Sequence, residues 1–160
     1  MNVDGLHQAA GAPAETVWEV HGSIRRFPGP CGRAALEVAE PDASHQPRCL
    51  ACGGRVRPDV TLFTEGLPQD QWSGAVRAVD QLRPTDVLLI VGTSSVVYPA
   101  ASLPGRAKDN GATLIEVNLD LPTPLSELVD IAVPGRAAEV LPALVDRALE
   151  LRRGLSAAGE

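Results

Sequence analysis

The sequence feature that most constrains the fold is a continuous apolar run, Val87–Val91, which ends abruptly at Gly92-Thr-Ser-Ser95. Its length is that of a strand rather than of a helix. A strand without polar alternation is typical of a parallel sheet, in which helices cover both faces. The run therefore predicts an α/β fold built around a parallel sheet.

Two further segments of the second half of the chain repeat this pattern. Thr113–Val117 reads as a strand that ends at Asn118, and Asp130–Val133 reads as a strand that ends at Pro134-Gly135. Apolar residues at helical spacing predict helices over Gln69–Leu82, Pro99–Asp109 and Ala138–Arg153. Alternating strands and helices predict a doubly wound, Rossmann-like sheet.

Small and polar residues follow these strands, and they are the first candidates for a binding site. Ligands of doubly wound sheets bind outside the carboxyl ends of the strands. Gly92, Thr93, Ser94, Asn118 and the loop at Gly135 would lie along that edge. The alternative is that these small residues only make tight turns.

The first half of the chain has a different character. Thr16–Val20 alternates apolar and polar residues, which predicts a strand that ends at His21-Gly22-Ser23. Residues 28–70 are dense in Pro and Gly, which indicates loops and short strands in a small module. We therefore expect one partial Rossmann domain from residues 1–27 and 71–160, with residues 28–70 as a separate insertion.

Three cysteines, Cys31, Cys49 and Cys52, suggest that a metal organises this insertion. Cys49 and Cys52 form a Cys-x-x-Cys pair followed by Gly53-Gly54, the pattern of a zinc knuckle. The alternative is a redox pair, although such pairs usually open a helix rather than precede a Gly-Gly turn. His45 is a conceivable fourth ligand or a solvated residue.

Composition excludes several other classes of protein. The 160 residues carry 14 basic and 20 acidic side chains, a net charge of −6, which argues against direct nucleic-acid binding. No apolar run approaches the roughly 20 residues that span a membrane. The N-terminus lacks the basic and apolar pattern of a signal peptide, so we expect a cytoplasmic protein.

Six motifs in order resemble the sirtuin family of NAD-dependent protein deacylases. They are Asn2-Val-Asp-Gly-Leu-His7, Glu19-Val-His21-Gly22-Ser23, Arg57-Pro-Asp-Val-Thr-Leu-Phe-Thr-Glu65, Gly92-Thr-Ser-Ser-Val-Val-Tyr-Pro-Ala100, Glu116-Val-Asn118 with Thr123-Pro-Leu125, and Gly135-Arg-Ala137-Ala-Glu-Val-Leu-Pro142. The resemblance implies an enzyme that transfers the acyl group of an acyl-lysine protein or peptide to ADP-ribose and releases nicotinamide.

The same resemblance assigns roles to individual residues. His21 would be the catalytic base, which suits an imidazole with an ordinary pKa of about 6.5. NAD would contact Asn2 and Asp4 at its nicotinamide, Gly92, Thr93 and Ser94 at its phosphates and ribose, and Asn118 and Ala137 at its adenosine. An extended substrate peptide would lie along Val60, Leu62 and Phe63. Zinc would bind Cys31, Cys49 and Cys52.

The chain also departs from the family pattern. It begins at the Asn-Ile-Asp motif, so the family's first strand and Gly-Ala-Gly phosphate loop would have to come from a missing N-terminal segment or another chain. Pro28 stands where a fourth cysteine is expected, and Thr64 replaces a usual glycine. The alternative function is thus a catalytically impaired remnant that acts as a weak nucleotide-binding or interaction module.

Overall fold

The computed structural model describes residues 2–32, 35–37 and 47–157 of the chain. Its helices are α1 (Leu6–Ala9), α2 (Gln69–Asp80), α3 (Leu103–Asp109) and α4 (Ala137–Ala157). Its strands are β1 (Gly22–Ser23), β2 (Arg26–Pro28), β3 (Ala35–Glu37), β4 (Asp59–Val60), β5 (Val87–Val91), β6 (Thr113–Asn118) and β7 (Ile131–Pro134).

Two compact units make up the chain, Met1–Arg77 and Ala78–Glu160, and the division falls within α2. The predicted grouping of residues 1–27 with 71–160 around a module at 28–70 stays a prediction. Among the described residues, every helix is too short or too polar to cross a membrane.

The second unit contains the predicted parallel sheet, with the strand order β5-β6-β7. Both strand pairs are parallel, and Leu89, Ile115 and Ile131 lie side by side in the register. Helix α3 connects β5 to β6, as a crossover between parallel neighbours requires. All three carboxyl ends therefore point to one edge, which is the edge that the sequence predicts as a binding site.

One apolar cluster forms the core of the second unit. Its buried members come from α2, β5, α3, β6 and the loops that precede and follow β6, namely Val79, Ile90, Ala107, Ala112, Leu114 and Leu125. Leu114 and Ala107 are fully buried. Helix α3 and Val79, at the end of α2, thus cover the sheet face to which Ile90 and Leu114 belong.

The other sheet face corrects one expectation. The apolar run at Val87–Val91 is not buried on both faces, because Val87 and Leu89 are 52% and 41% exposed while Ile90 is 6% exposed. Side chains alternate between the faces of a strand, so only every second residue reaches the α2–α3 side. Ile131 of the edge strand β7 is likewise 49% exposed.

The first unit holds two short antiparallel pairs, β1 with β4 and β2 with β3. The predicted strand at Thr16–Val20 is wrong: Ala14–Thr16 is a 3-10 turn, and the strand begins only at Gly22. Tertiary contacts explain the difference. The Glu19 N–H is bonded to the Gln71 side chain at 2.9 Å, and the indole of Trp18 fills the space where Gly74 lacks a Cβ.

Candidate functional site

The three cysteines converge on one point of the first unit. Their sulfur atoms all lie within 4.8 Å of one another, and those of Cys31 and Cys49 are 3.6 Å apart. Cys49 is buried, whereas Cys31 and Cys52 are exposed. The arrangement fits the predicted metal centre, because a tetrahedral metal with Zn–S bonds of about 2.3 Å places its thiolates at comparable separations.

A backbone turn holds the Cys-x-x-Cys pair in place. The Cys49 N–H donates to the Gly54 carbonyl at 2.8 Å, and the Gly53 N–H donates back to the Cys49 carbonyl at 2.8 Å. Gly53 has a φ of 67°, a left-handed conformation that favours glycine. The predicted knuckle is thus present, and it does not open a helix, which disfavours the redox alternative.

The donor set itself fits zinc. Hydrogen bonds from the backbone N–H groups of Ala51 and Cys52 lower the pKa of the Cys49 thiol. A lower pKa favours the thiolate, which is the form that binds the metal. Pro28 lies at the end of β2, and His45 lies outside the described residues.

His21 is held at the junction of a turn and a strand pair. The Gly22 N–H donates to the Glu19 carbonyl at 2.8 Å, and the Thr61 N–H donates to the His21 carbonyl at 3.0 Å. Gly22 has a φ of 79°, and a Cβ on it would lie 1.8 Å from the Asp59 carbonyl oxygen. Only glycine permits this approach of β1 to β4, so the His-Gly motif fixes His21 beside the Val60 segment.

The His21 ring has the properties of a proton acceptor. Its Nε2 atom is buried and has no hydrogen-bond partner among the described residues. Burial lowers the pKa of His21 from the ordinary 6.5, so the ring is neutral at pH 7. A neutral imidazole with one free nitrogen can accept a proton from a bound hydroxyl.

An ion-pair cluster that the sequence reasoning missed braces this junction. Arg26 Nε donates to Asp59 Oδ2 at 2.7 Å, and Arg26 Nη1 donates to Glu19 Oε2 at 3.2 Å. It therefore ties β2 to β4 and to the turn before His21. No local signal could have found this cluster, because Arg26 and Asp59 are far apart in the sequence.

The predicted peptide-binding segment presents apolar side chains to solvent. Leu62 and Phe63 are 56% and 80% exposed, and Val60 lies in β4. A carboxylate shapes the turn that follows: Glu65 Oε2 accepts the Leu62 N–H at 3.0 Å and Arg57 Nη2 at 2.8 Å. Thr64 has a φ of 78°, which explains why a glycine is usual at this position.

Asn2 and Asp4 lie in the segment that precedes α1. The Val3 carbonyl accepts the Ile24 N–H at 2.9 Å, which places this segment directly beside β1. Asp4 Oδ1 accepts the Leu6 N–H at 3.0 Å and so helps to begin α1. Asn2 is exposed. The structure thus brings the predicted nicotinamide residues next to the strand that follows His21.

The predicted nucleotide residues meet at one edge of the second unit. The Gly92 N–H donates to the Val117 carbonyl at 3.0 Å, and Asn118 Nδ2 donates to the Thr93 carbonyl at 3.0 Å. Ser94 is exposed. Ala137 begins α4, directly after the loop that follows β7. The loops after β5, β6 and β7 therefore adjoin, as the sheet predicts.

These features define a class of protein, an α/β protein that combines a doubly wound type of sheet with a cluster of three cysteines that could hold a metal ion. The model of the Sir2 family matches residues 1–99. A Pyrobaculum aerophilum protein named NAD-dependent protein deacylase 2 is 45% identical over 97% of this chain and 61% of its own length. The NAD-dependent protein deacylase of Mycobacterium tuberculosis is 41% identical over 91% of this chain and 61% of its own length.

Solved structures agree with these relatives. A crystal structure of a Sir2 homologue–NAD complex matches 94% of this chain and 57% of its own, with a TM-score of 0.81 and 39% identity. Sir2Af2 bound to a myristoylated histone peptide matches 96% of this chain and 64% of its own, with a TM-score of 0.80 and 37% identity. The chain belongs to the Sir2 family, and its fold is the predicted Rossmann-like one.

The chain spans 61% of the length of the two relatives named above. The roles of the single residues stay predictions, and the geometry shows which of them lie together. One group surrounds His21 and the Val60 segment in the first unit, and the other lines the sheet edge at Thr93 and Asn118 in the second.

Proposed function

We propose that this chain carries the catalytic base, the peptide-binding strand and the nucleotide edge of an NAD-dependent protein-lysine deacylase. The reaction transfers the acyl group of the lysine to ADP-ribose and releases nicotinamide. One observation carries the proposal: the buried, unpartnered Nε2 of His21 lies on the residue whose backbone bonds the Val60–Phe63 segment. The names of the relatives support it.

His21 is the general base of this reaction. Burial keeps its imidazole neutral, and the glycine at position 22 fixes its backbone against β4. In this place it accepts a proton from a ribose hydroxyl, which makes the hydroxyl oxygen nucleophilic. Ser23, two residues after the histidine, is buried, and its hydroxyl accepts the Arg25 N–H at 3.2 Å, which stabilises the turn between β1 and β2.

The substrate is an acyl-lysine protein or peptide in an extended conformation. A strand added to the Val60–Phe63 segment gains main-chain hydrogen bonds irrespective of its sequence. The exposed side chains of Leu62 and Phe63 offer an apolar border for the acyl chain. The structure of Sir2Af2 with a myristoylated histone peptide supports this class of substrate.

By the resemblance, Asn2 and Asp4 would contact the nicotinamide of NAD, and Gly92, Thr93, Ser94, Asn118 and Ala137 would contact the rest of the dinucleotide. The donor set suits a dinucleotide, because it offers hydroxyls, an amide, backbone N–H groups and the N-terminus of the 21-residue helix α4. When bound, NAD supplies the ribose carbon that takes the acyl oxygen as nicotinamide leaves.

Zinc would be held by Cys31, Cys49 and Cys52, and its role would be structural. A metal bound by the three thiolates would link the segment at Cys31 to the Cys-x-x-Cys knuckle. The short strand pair β2–β3 alone would stabilise this module only weakly. We also infer a cytoplasmic location, since free cysteines that converge on a metal are typical of a reducing compartment.

A further segment, from this polypeptide or from another chain, completes the parallel sheet. Leu89, Ile115 and Ile131 form an apolar row across one face, and two of them are more than 40% exposed. Parallel sheets are covered on both faces in α/β proteins, so an uncovered row predicts a covering element. The same observation favours a second candidate function, an impaired module that binds nucleotide weakly.

Product analysis tests the proposal. An acyl-lysine peptide and NAD are incubated with the protein, and mass spectrometry follows the peptide and the nucleotide. The proposal predicts equal amounts of free lysine peptide and acyl-ADP-ribose, both dependent on His21. Release of free carboxylate without NAD consumption would contradict it, and nucleotide binding without turnover would favour the impaired module.

A further inference from the structure

A fully buried carboxyl group lies beneath the nucleotide edge of the second unit. Glu116 of β6 has no exposed surface, and its Oε1 accepts the Thr123 hydroxyl at 2.7 Å. Its Oε2 has no hydrogen-bond partner among the residues that the structure describes. Burial of a carboxyl group is costly unless its bonds are made, so this group requires an explanation beyond packing.

The direction of each hydrogen bond around Glu116 follows from Thr123. The Thr123 Oγ1 accepts the Leu125 N–H at 3.1 Å, so its single proton is free to go to Glu116 Oε1. Glu116 Oε1 is therefore an acceptor. Any further group that faces this oxygen must present a donor.

The group that faces it is the side-chain amide of Asn118. Its Nδ2 lies 3.5 Å from Glu116 Oε1 and donates to the Thr93 carbonyl at 3.0 Å. Its Oδ1 accepts the Leu119 N–H at 2.9 Å. The contact to Glu116 is long, but its polarity disfavours the flipped amide, in which Oδ1 would face two acceptors and Nδ2 would face the Leu119 N–H donor.

We propose that Glu116 is a positioning residue of the nucleotide edge. Its Oε1 fixes the orientation of the Asn118 amide, and the amide fixes the Thr93 carbonyl and hence the loop after β5. The Asn118 carbonyl also accepts the Gly135 N–H at 2.9 Å, so all three loops at this edge depend on Asn118. The consequence for nucleotide binding rests on the proposed function.

A purely structural role for Glu116 predicts different experimental results. The carboxyl group would link β6 to the Thr123 turn and contribute to thermal stability, without an effect on the Asn118 amide. Two readouts separate the roles: hydrogen exchange of the Asn118 side-chain amide by NMR, which needs no ligand, and titration of the chain with ADP-ribose.

The test compares Glu116→Met with Glu116→Gln and with the control Glu127→Met. Methionine has the length of glutamate without an acceptor, glutamine restores the acceptor oxygen, and Glu127 is an exposed residue of the same unit. We expect faster exchange of the Asn118 amide and roughly two- to thirty-fold weaker ADP-ribose binding in Glu116→Met alone. Wild-type exchange in folded Glu116→Met, whatever its thermal stability, would overturn the proposal.

A double-variant cycle decides the question if Glu116→Met does not fold. Asn118→Asp places a carboxylate oxygen opposite two acceptors, whereas glutamine at position 116 can turn its NH₂ toward that oxygen. We expect Glu116→Gln to recover part of the thermal stability lost in Asn118→Asp, and strictly additive effects would overturn the proposal. If the wild-type chain binds no ADP-ribose, the nucleotide-binding proposal fails, while amide exchange still decides the role of Glu116.

Discussion

At the scale of single residues, His21 and Gly22 work as a pair. The glycine lets two backbones approach, and this approach leaves the histidine ring half-buried with a free nitrogen. A residue with a side chain at position 22 would separate β1 from β4, and the ring would then lose its place beside the Val60 segment. The position and the free nitrogen of the His21 ring thus depend on Gly22 having no side chain.

The His21 ring should titrate below the ordinary value of 6.5, because burial disfavours the imidazolium ion. The unfolded chain binds this proton more tightly than the folded chain does, so His21 lowers stability as the pH falls through 6.5. NMR titration of the ring protons, assigned by their loss in His21→Gln, measures the midpoint. A midpoint at or above 6.5 would show that the ring is solvated.

Gly22→Ala should destabilise the protein by about 3 kcal/mol or more, because a left-handed φ and a clash with the Asp59 carbonyl act together. Gly11→Ala is the matched control, since Gly11 has a φ of 88° and nothing within 4 Å of its Cβ position. It should cost only about 1 kcal/mol. Equal losses in urea unfolding would mean that β1 and β4 do not approach closely.

At the scale of elements, local pattern and long-range contact explain which predictions succeed. Strand β5 has the bounds that the sequence predicts, Val87–Val91. The apolar run has the length of a buried strand, and the polar Asp86 and the flexible Gly92 mark its two ends. Thr16–Val20 alternates apolar and polar residues but forms no strand, because the Gln71 side chain accepts the Glu19 N–H. Gln71 is 52 residues from Glu19, so the pattern of residues 16–20 alone cannot reveal this contact.

The same distinction between local spacing and long-range contact explains which parts of the candidate site the sequence predicts. The cysteine centre could be predicted, since the spacing of Cys49 and Cys52 is itself the geometry of a metal knuckle. The Arg26–Asp59 pair and the buried Glu116 could not, because charge and burial become meaningful only when the fold brings distant partners together. The motifs pointed to the proposed ligand-binding residues, but not to the residues that support them.

The cysteine knuckle predicts a metal-dependent element. We expect about one zinc ion per chain, with its loss in Cys49→Ser, as measured by elemental mass spectrometry. A chelator should lower the thermal midpoint of the wild-type protein toward that of Cys49→Ser and leave the variant unchanged. An equal response of both proteins to the chelator would argue against a zinc-stabilised module.

Strand β6 depends on a carboxylate at the start of β7. Asp130 accepts the Leu114 N–H at 2.9 Å and pairs with Lys108, and these contacts lower the pKa of Asp130. Its stabilisation is present above the ordinary pKa of 3.8 and is lost as the pH falls through the lower folded value.

Asp130→Asn should therefore lower the thermal midpoint at pH 7 and have little effect near pH 2. Asp146→Asn, an exposed substitution on α4, is the control and should have little effect at either pH. A loss for Asp130→Asn that is the same at both pH values would show that the carboxylate charge is irrelevant.

At the scale of the whole molecule, one Sir2-family chain contains the proposed catalytic histidine, the proposed peptide-binding strand and the proposed nucleotide edge. The apolar row at Leu89, Ile115 and Ile131 predicts a further element that covers this face of the sheet. Catalysis needs the reacting ribose within hydrogen-bond reach of His21, so turnover depends on a firm hold on the dinucleotide. We therefore expect the 160-residue chain alone to be a poor enzyme.

The most direct test measures nicotinamide released from NAD in the presence of an acyl-lysine peptide. It compares the 160-residue chain, the same chain extended by its upstream reading frame, and the extended chain with His21→Ala. We expect peptide-dependent release by the extended protein, weak release by the chain alone, and a loss of about 10²–10⁴-fold in His21→Ala. Release that is unaffected by His21→Ala, or none from the extended protein, would contradict the account.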